Sequence, residues 1–528
     1  MIARGEPPSL AVKMLDLAGG IGNINPVFNA TLDHADENGT IMPLLAEALP
    51  QLDSESWRVF PDGRMETTHR LRPNLTWHDG TAFTADDFVF GWRVYATPQL
   101  GQASSIPISA MSEVTAPDPR TVVIRWRQPF PDAAALLETF QALPRHILET
   151  PYQNGDWEAF ANHLFWTQEY VGLGPFRLTS WEPGAAINAA AFDGYALGKP
   201  KIERMRITFT SDSNTAVANL LSGTAHIVID FALQYEQGAI LDREWSSKAE
   251  RDRGAVLNSP VLYRNSVFQL RPEMAVTPAL LDLRFRRALA HGMDKRGIID
   301  ALIGGKAIYA DGLLSPLVDY YPSIERSLVK YPYDPRRAQQ LLDEVGLAKG
   351  GDGFYVNPNG ESFGFEIRFI ASPTHDAENN IITAGYRQLG INAFGLVLPV
   401  SQLRDGHFMA SFPGILTTGA AGGERDMSRY STPQIRRAEN RWQGTNSGGW
   451  ANAEYDRLWD AYNTTLARPE RIQQLARMEQ LFTEDLPAIP HYYTLQVAAR
   501  APELAGPVMR TTREAVEVVH LHKWELRS

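Results

Sequence analysis

Short apolar strands alternate with capped amphipathic helices along the whole of a 528-residue chain. That alternation narrows the choice to a layered α/β architecture. A chain of this length exceeds what one hydrophobic core can organise, so two or more lobes are expected. No short-period repeat and no low-complexity linker breaks the pattern. Ordinary strands must therefore carry the chain across the lobe boundaries.

Several helices follow from local chemistry. Thr84 precedes Ala85-Asp86-Asp87-Phe88, with an acid three residues on. This capping-box pattern predicts a helix through about Tyr95. Asp334-Pro335 reads as an N-cap followed by proline at the first helical position. Apolar Ala338, Leu341, Leu342 and Val345 then share one face, and Gly346 ends the helix. Asn452 caps a helix whose Tyr455, Leu458, Trp459 and Tyr462 lie together, and core packing is the reading for Trp459 and Tyr462. Asp282 and Asp294 cap consecutive helices, the second ending at Gly304-Gly305.

Composition excludes more than it assigns. The formal net charge of -11 disfavours polyanionic partners such as nucleic acid and anionic lipid. The absence of cysteine excludes disulfides, zinc-thiolate sites and a cysteine nucleophile. No apolar run approaches the roughly 20 residues of a membrane helix. The opening MIARGEPPSL has no apolar signal-peptide core. It reads either as a cytosolic start or as a cut just after a removed signal. No HExxH, GxSxG, P-loop or EF-hand spacing occurs, and the twelve histidines are scattered. A turn accounts for His78 and Asp79 and a helix cap for Asp87, so catalysis by these carboxylates is not expected. Neither a cofactor nor a metal site is expected.

A series of short motifs, read in order, resembles the family 5 extracellular solute-binding proteins, the dipeptide, oligopeptide and nickel class of ABC importer receptors. The glycine turn Gly19-Gly20-Ile21-Gly22 with Asn25-Pro26 follows an expected strand over 11–18. Met42-Pro43-Leu44-Leu45-Ala46-Glu47 resembles the segment "PxLAESW". The run 71–87, containing Leu75-Thr76-Trp77-His78-Asp79-Gly80 and Thr84-Ala85-Asp86-Asp87, is close to the family's most recognisable stretch. Leu143-Pro144-Arg145-His146-Ile147-Leu148 looks like "PKHIL". Gly172-Leu173-Gly174-Pro175-Phe176 with Trp181-Glu182-Pro183-Gly184 resembles its strand pair. Asp212-Ser213-Asn214-Thr215 with Leu220-Leu221-Ser222-Gly223, Asp282-Leu283-Arg284 with Met293-Asp294-Lys295, Tyr333-Asp334-Pro335 and Asn452-Ala453-Glu454-Tyr455-Asp456 complete the series.

The resemblance implies a periplasmic-binding-protein type II-like α/β fold. Its two lobes carry an extra inserted domain and enclose a ligand by hinge closure in the cleft between them. Domain I would comprise 1–40, 171–262 and 491–528, domain II would be the insertion 41–170, and domain III would span 263–490. The implied role is that of an exported, periplasmic or cell-surface receptor, monomeric, delivering a peptide or peptide-like solute to ABC permease subunits. The signal segment would be absent from this sequence, and any lipid-anchoring cysteine would lie upstream of it. Such a receptor is not an enzyme. A hydrolase acting on the same solutes is the alternative of another class.

One departure bears on the ligand. Peptide receptors of the family grip the ligand's free ammonium with an aspartate in a segment resembling "WGWxADYxDP". Here the stretch 408–423 has Thr418 near that position, lacks both tryptophans, and reaches no acid before Glu424 and Asp426. Burying an ammonium without a carboxylate is costly. Either Glu424 or Asp426 takes that part, or the solute is of another kind: an oligosaccharide, an opine-like conjugate or a metal chelate. The residues expected to line the site are Phe412, Gly414, Thr417 and Thr418 on this stretch and Gly20, Ile21, Gly22 and Asn23 at the first turn. To these are added Gln102, Ser104 and Ser105 in the loop after the Thr84 helix, Tyr263 and Arg264 at the expected hinge, and Trp442 and Trp450.

Overall fold

The structure, a computed structural model, describes residues 1–11, 24–357, 359–360, 363–370, 372–399, 402 and 405–527. The chain divides into two compact units, Met1–Ser259 with Gln496–Ser528, and Pro260–Leu495. It passes from the first to the second inside the strand Ala255–Phe268 and returns inside the strand Ala488–Arg500. These strands have 14 and 13 residues, against roughly 5–6 in an ordinary one. Each is long enough to be paired on both sides of the boundary.

In the first unit, Ile2–Ala3 runs parallel to both Arg204–Phe209 and Ile227–Leu233. The sheet continues antiparallel through Ala186–Ala191 to Phe176–Glu182. On its other side Ile227–Leu233 pairs with the end of the Ala488–Arg500 strand, Val228 opposite Ala499. A separate antiparallel sheet runs in the order Trp57–Val59, Met65–Arg70, Thr121–Trp126, Met111–Asp118.

The helix Ala85–Ala96 packs against that second sheet with Phe88, Val94 and Tyr95 buried. It begins where the capping box predicts. The Thr84 amide donates to Asp87 Oδ2 at 3.0 Å. Asp87 does more than cap. The same oxygen accepts Trp77 Nε1 at 3.2 Å, and its other oxygen accepts the Arg145 amide at 3.1 Å. Two parts of the 71–87 run and the 143–148 motif thus meet on one carboxylate. His78 is more than part of a turn, because its ring is buried and accepts the Gly172 amide at Nδ1, 3.1 Å. Its Nε2 must then carry the proton, which it donates to the Gly174 carbonyl at 3.0 Å. Burial holds this imidazole down, to about 4, and therefore neutral. Gly172 and Gly174 are required by closeness: a Cβ at either would lie within 2.3 Å of the Phe28 or Asn29 backbone.

The second unit's sheet runs Asn392–Leu398, Gly364–Ile370, Ile415–Ala421 in parallel, then Ala255–Phe268 antiparallel to the last of these. The Ala488–Arg500 strand follows, with the short strand Ile308–Tyr309 paired to it. The expected helices are Leu283–His291, Lys295–Ile303, Pro335–Glu344 and Ala453–Tyr462. Each is capped by the residue predicted: Asp282, Asp294, Asp334 and Asn452 accept backbone amides of their own first turns. Gly304 ends the second in the left-handed conformation, at φ 55°. Of the strand expected over 11–18, residues 12–18 lie outside the described residues.

Candidate functional site

The stretch singled out by its missing aspartate is the strand Ile415–Ala421, paired in register with Leu262–Phe268, so that Ser266 faces Thr417, Asn265 faces Thr418 and Arg264 faces Gly419. Side chains alternate between the two faces of a strand. Arg264, Ser266 and Thr417 therefore share one face, and Tyr263, Asn265 and Thr418 the other.

The first face holds a continuous polar chain. Arg264 donates through Nε, at 3.0 Å, and through an Nη to Glu378 Oε2 on the helix Pro373–Gln388. Glu378 Oε1 lies 3.2 Å from His491 Nδ1, His491 Nε2 lies 2.9 Å from Ser266 Oγ, and Ser266 Oγ lies 3.1 Å from Thr417 Oγ1. A carboxylate only accepts, so His491 carries its proton on Nδ1, Ser266 donates to Nε2, and Thr417 donates to Ser266. Burial pushes Glu378 up, but the Arg264 charge and His491 more than offset it and hold the carboxyl well below its usual range. Burial holds His491 down despite the neighbouring Glu378, which keeps it neutral. Hydrolases use the same order of acid, imidazole and hydroxyl. Here Ser266, Glu378 and His491 are each 0% exposed, so the hydroxyl is closed to solvent in this structure, and the hydrogen-bonded chain backs the strand.

The opposite face is phenolic. Asn265 Nδ2 donates to the hydroxyls of Tyr263, at 3.1 Å, and Tyr430, at 2.7 Å. Tyr263 is buried and its ring lies 6.2 Å from that of Tyr493. Thr418 remains half-buried, and Gly419 is exposed. Phe412 is fully buried in the core with Trp450 and Tyr430. Gly414 sits where a Cβ would lie 2.4 Å from the Glu366 carbonyl, so close packing of neighbouring strands requires glycine.

The two acids that follow the strand are placed differently. The Arg468 guanidinium grips Glu424 in bidentate fashion, Nη1 to Oε2 at 2.8 Å and Nη2 to Oε1 at 2.5 Å, and the Tyr462 hydroxyl also donates to Oε2. Arg468 lies over the Tyr320 ring at 4.7 Å, and Arg471 over the Tyr462 ring at 4.2 Å. Burial raises the Glu424 carboxyl, but the hydrogen bonds and charge of Arg468 outweigh it and hold it at about 2. Asp426 is half-buried in the seven-residue 3-10 helix Glu424–Tyr430, its amide on the Gly423 carbonyl at 3.1 Å.

The remaining expected residues are scattered. Trp450 Nε1 donates to Asp485 at 3.1 Å and meets Tyr455 edge to face at 5.0 Å. Trp442 is half-buried, in a left-handed conformation at φ 61°, with His407 against its ring at 4.5 Å. Gln102 and Ser105 close a turn of the first unit, the Ser105 hydroxyl donating to the Gln102 carbonyl at 2.7 Å, and Ser104 is exposed. Gly20, Ile21, Gly22 and Asn23 lie outside the described residues. Sequence reasoning missed Glu378, Arg468 and Glu479, described below; each is one charged residue on an amphipathic helix, with no local signal of its distant partner.

The first unit also contains a cavity of about 70 Å³ whose wall includes His34, Tyr195, His520 and His522. Among the described residues, no group of three or more His, Asp or Glu is placed to hold a metal ion. No helix among them is long and apolar enough to cross a membrane.

A mixed α/β chain of this topology has the type II-like fold of the periplasmic binding proteins. NikZ from Campylobacter jejuni, solved with Ni(L-His), superposes with a TM-score of 0.77 at 22% identity, covering 99% of this chain and 98% of that one. The profile of "Bacterial extracellular solute-binding proteins, family 5 Middle" matches residues 47–417, and the chain belongs to that family. Glutathione-binding protein GsiB of Escherichia coli is 25% identical over 504 residues, 90% of this chain and 89% of its own. A putative ABC transporter peptide-binding protein of Brucella ovis is 27% identical over 302 residues, 56% of this chain. The chain spans about half of that relative's length, 52%.

Proposed function

We propose that this protein is the extracytoplasmic solute receptor of an ABC importer, a monomer that captures a peptide-like solute and passes it unchanged to the membrane permease. Family membership supports the receptor role, and the relatives named for peptide and glutathione binding support the solute class. Export, with a signal segment removed and a lipid anchor on the precursor, fits a family of extracellular proteins. The insertion of 41–170 as a domain II between 1–40 and 171–262 is part of the same reading, with 491–528 completing domain I and 263–490 as domain III. The separate sheet formed by strands between Trp57 and Trp126 favours it.

The observation that carries the solute reading is the Glu424–Arg468 pair. The first acid after the Ile415–Ala421 strand already has a full-strength cationic partner. It is therefore poorly available to a ligand ammonium, and the half-buried Thr418 beside exposed Gly419 suits hydroxyl, carbonyl or carboxylate groups instead. A peptide-like solute that needs no free amino terminus fits best. A non-peptide solute, such as an oligosaccharide, an opine-like conjugate or a metal chelate, is the second reading, favoured by the same pair.

Thermal-shift measurements with reduced glutathione, short peptides, their N-acetylated forms, oligosaccharides and nickel–histidine test both, because a bound ligand raises stability by mass action. Equal shifts from free and acetylated peptides support the first reading. Shifts from sugars or chelates alone establish the second. Shifts that require a free amino terminus would overturn both.

A further inference from the structure

Glu479 is a carboxylate at 0% exposure on the helix Arg468–Asp485. Its oxygens accept the Leu313 amide, at 2.8 and 3.1 Å, and the Leu314 amide at 2.7 Å. Gly312 lies so close that a Cβ there would stand 2.6 Å from Oε2. Among the described residues no Lys, Arg or His forms an ion pair with it. The groups facing it are phenols: Tyr321 of the helix Tyr321–Glu325, Tyr430 of the 3-10 helix Glu424–Tyr430, Tyr455 of the helix Ala453–Tyr462 and Tyr493 of the Ala488–Arg500 strand. Asp311, at the head of the loop, lies 3.7 Å from Lys330, whose closer partner is Glu325 at 2.6 Å. Lys295, the other buried cation near this loop, donates to the Ala310 carbonyl.

A carboxylate buried without a cation is costly, and two amides offset only part of the cost. We propose that the 311–316 loop is a proton-sensitive latch, closed over the neutral carboxyl of Glu479 and loosened when the carboxylate forms and draws water. The direction follows from linkage. Any state in which Glu479 is hydrated holds its proton less tightly than the closed state, so proton loss favours the open loop. Burial raises this group to about 7, against the opposing pull of the Leu313 and Leu314 amides, which puts the transition near neutrality.

The latch touches the candidate wall. The Tyr493 hydroxyl donates to the Gly312 carbonyl at 3.4 Å. Its ring would stand 3.0 Å from a Cβ on Gly422, the residue that follows the Ile415–Ala421 strand.

Amide hydrogen exchange of Leu313 and Leu314 tests this without any solute. After correction for intrinsic exchange, protection in the wild-type chain falls by about tenfold or more between pH 5.5 and 8. In Glu479→Gln it is flat over that range. A flat profile in the wild type overturns the latch, as does a slope that persists in Glu479→Gln. The wild-type measurement decides even if the variant folds poorly.

Discussion

Arg264 and Glu378 form an ion pair within the second unit whose side chains are 5% and 0% exposed. Removing one partner of such a pair leaves a charge with neither water nor counter-ion. Glu378→Gln and Arg264→Met are each expected to destabilise the second unit by roughly 3–5 kcal/mol. The double variant is expected to lose clearly less than the sum of the two. Urea unfolding followed by tryptophan fluorescence measures this; additive losses would show that the pair is not coupled.

Glu424 predicts an acid limb. Its folded carboxyl sits at about 2, below the ordinary 4.5. A group depressed in this way contributes stability that is full above the unfolded value and is lost as pH falls through the folded one. Melting temperature should fall between about pH 4.5 and 2 in the wild type, with a shallower fall in Glu424→Gln. Equal slopes in the two proteins would place the acid sensitivity elsewhere.

Arg468→Met takes the bidentate guanidinium from Glu424 and leaves it the Tyr462 hydroxyl and the more distant Arg471, at 4.0 Å. If the neighbouring strand lines the solute site, the freed carboxylate should favour a ligand ammonium. Preference for free over N-acetylated peptides is then expected to rise about tenfold, the ~1.5 kcal/mol of one charge-assisted hydrogen bond. Calorimetric titration of both peptide forms reads the ratio, and an unchanged ratio would remove Glu424 from the site.

Two glycines of one segment separate packing from binding. A Cβ on Gly414 would meet the Glu366 carbonyl at 2.4 Å, whereas on Gly419 the nearest atoms stand at 3.5 Å. Gly414→Ala should therefore cost about 1–3 kcal/mol of stability, and Gly419→Ala should be close to neutral. Any change of solute affinity in Gly419→Ala then reports on the wall itself.

The parts of this structure legible in the sequence are those whose partners are near in the chain. Asp282, Asp294, Asp334 and Asn452 accept amides of their own first turns, and Asp87 accepts the Thr84 amide three residues back, so a few residues suffice to find each helix. The Glu378–Arg264 contact spans 114 positions. Helical periodicity marks Glu378 only as one more polar residue, and only the tertiary fold shows it buried. Arg264 was visible as a cation able to bind a carboxylate in bidentate fashion, and the carboxylate it holds belongs to the chain itself. Trp450 was visible as an aromatic residue beside the departing stretch, but the segment that would bury it was not.

Asp87 gathers Trp77, Thr84 and Arg145 onto one carboxylate, and His78 stitches Gly172 to Gly174. The stretch that announces what kind of protein this is serves as a clasp for the first unit. Its side chains are spent on holding distant segments of that unit together. In the proposed receptor role, one cargo can therefore replace another without disturbing that signature, which is silent about what is carried.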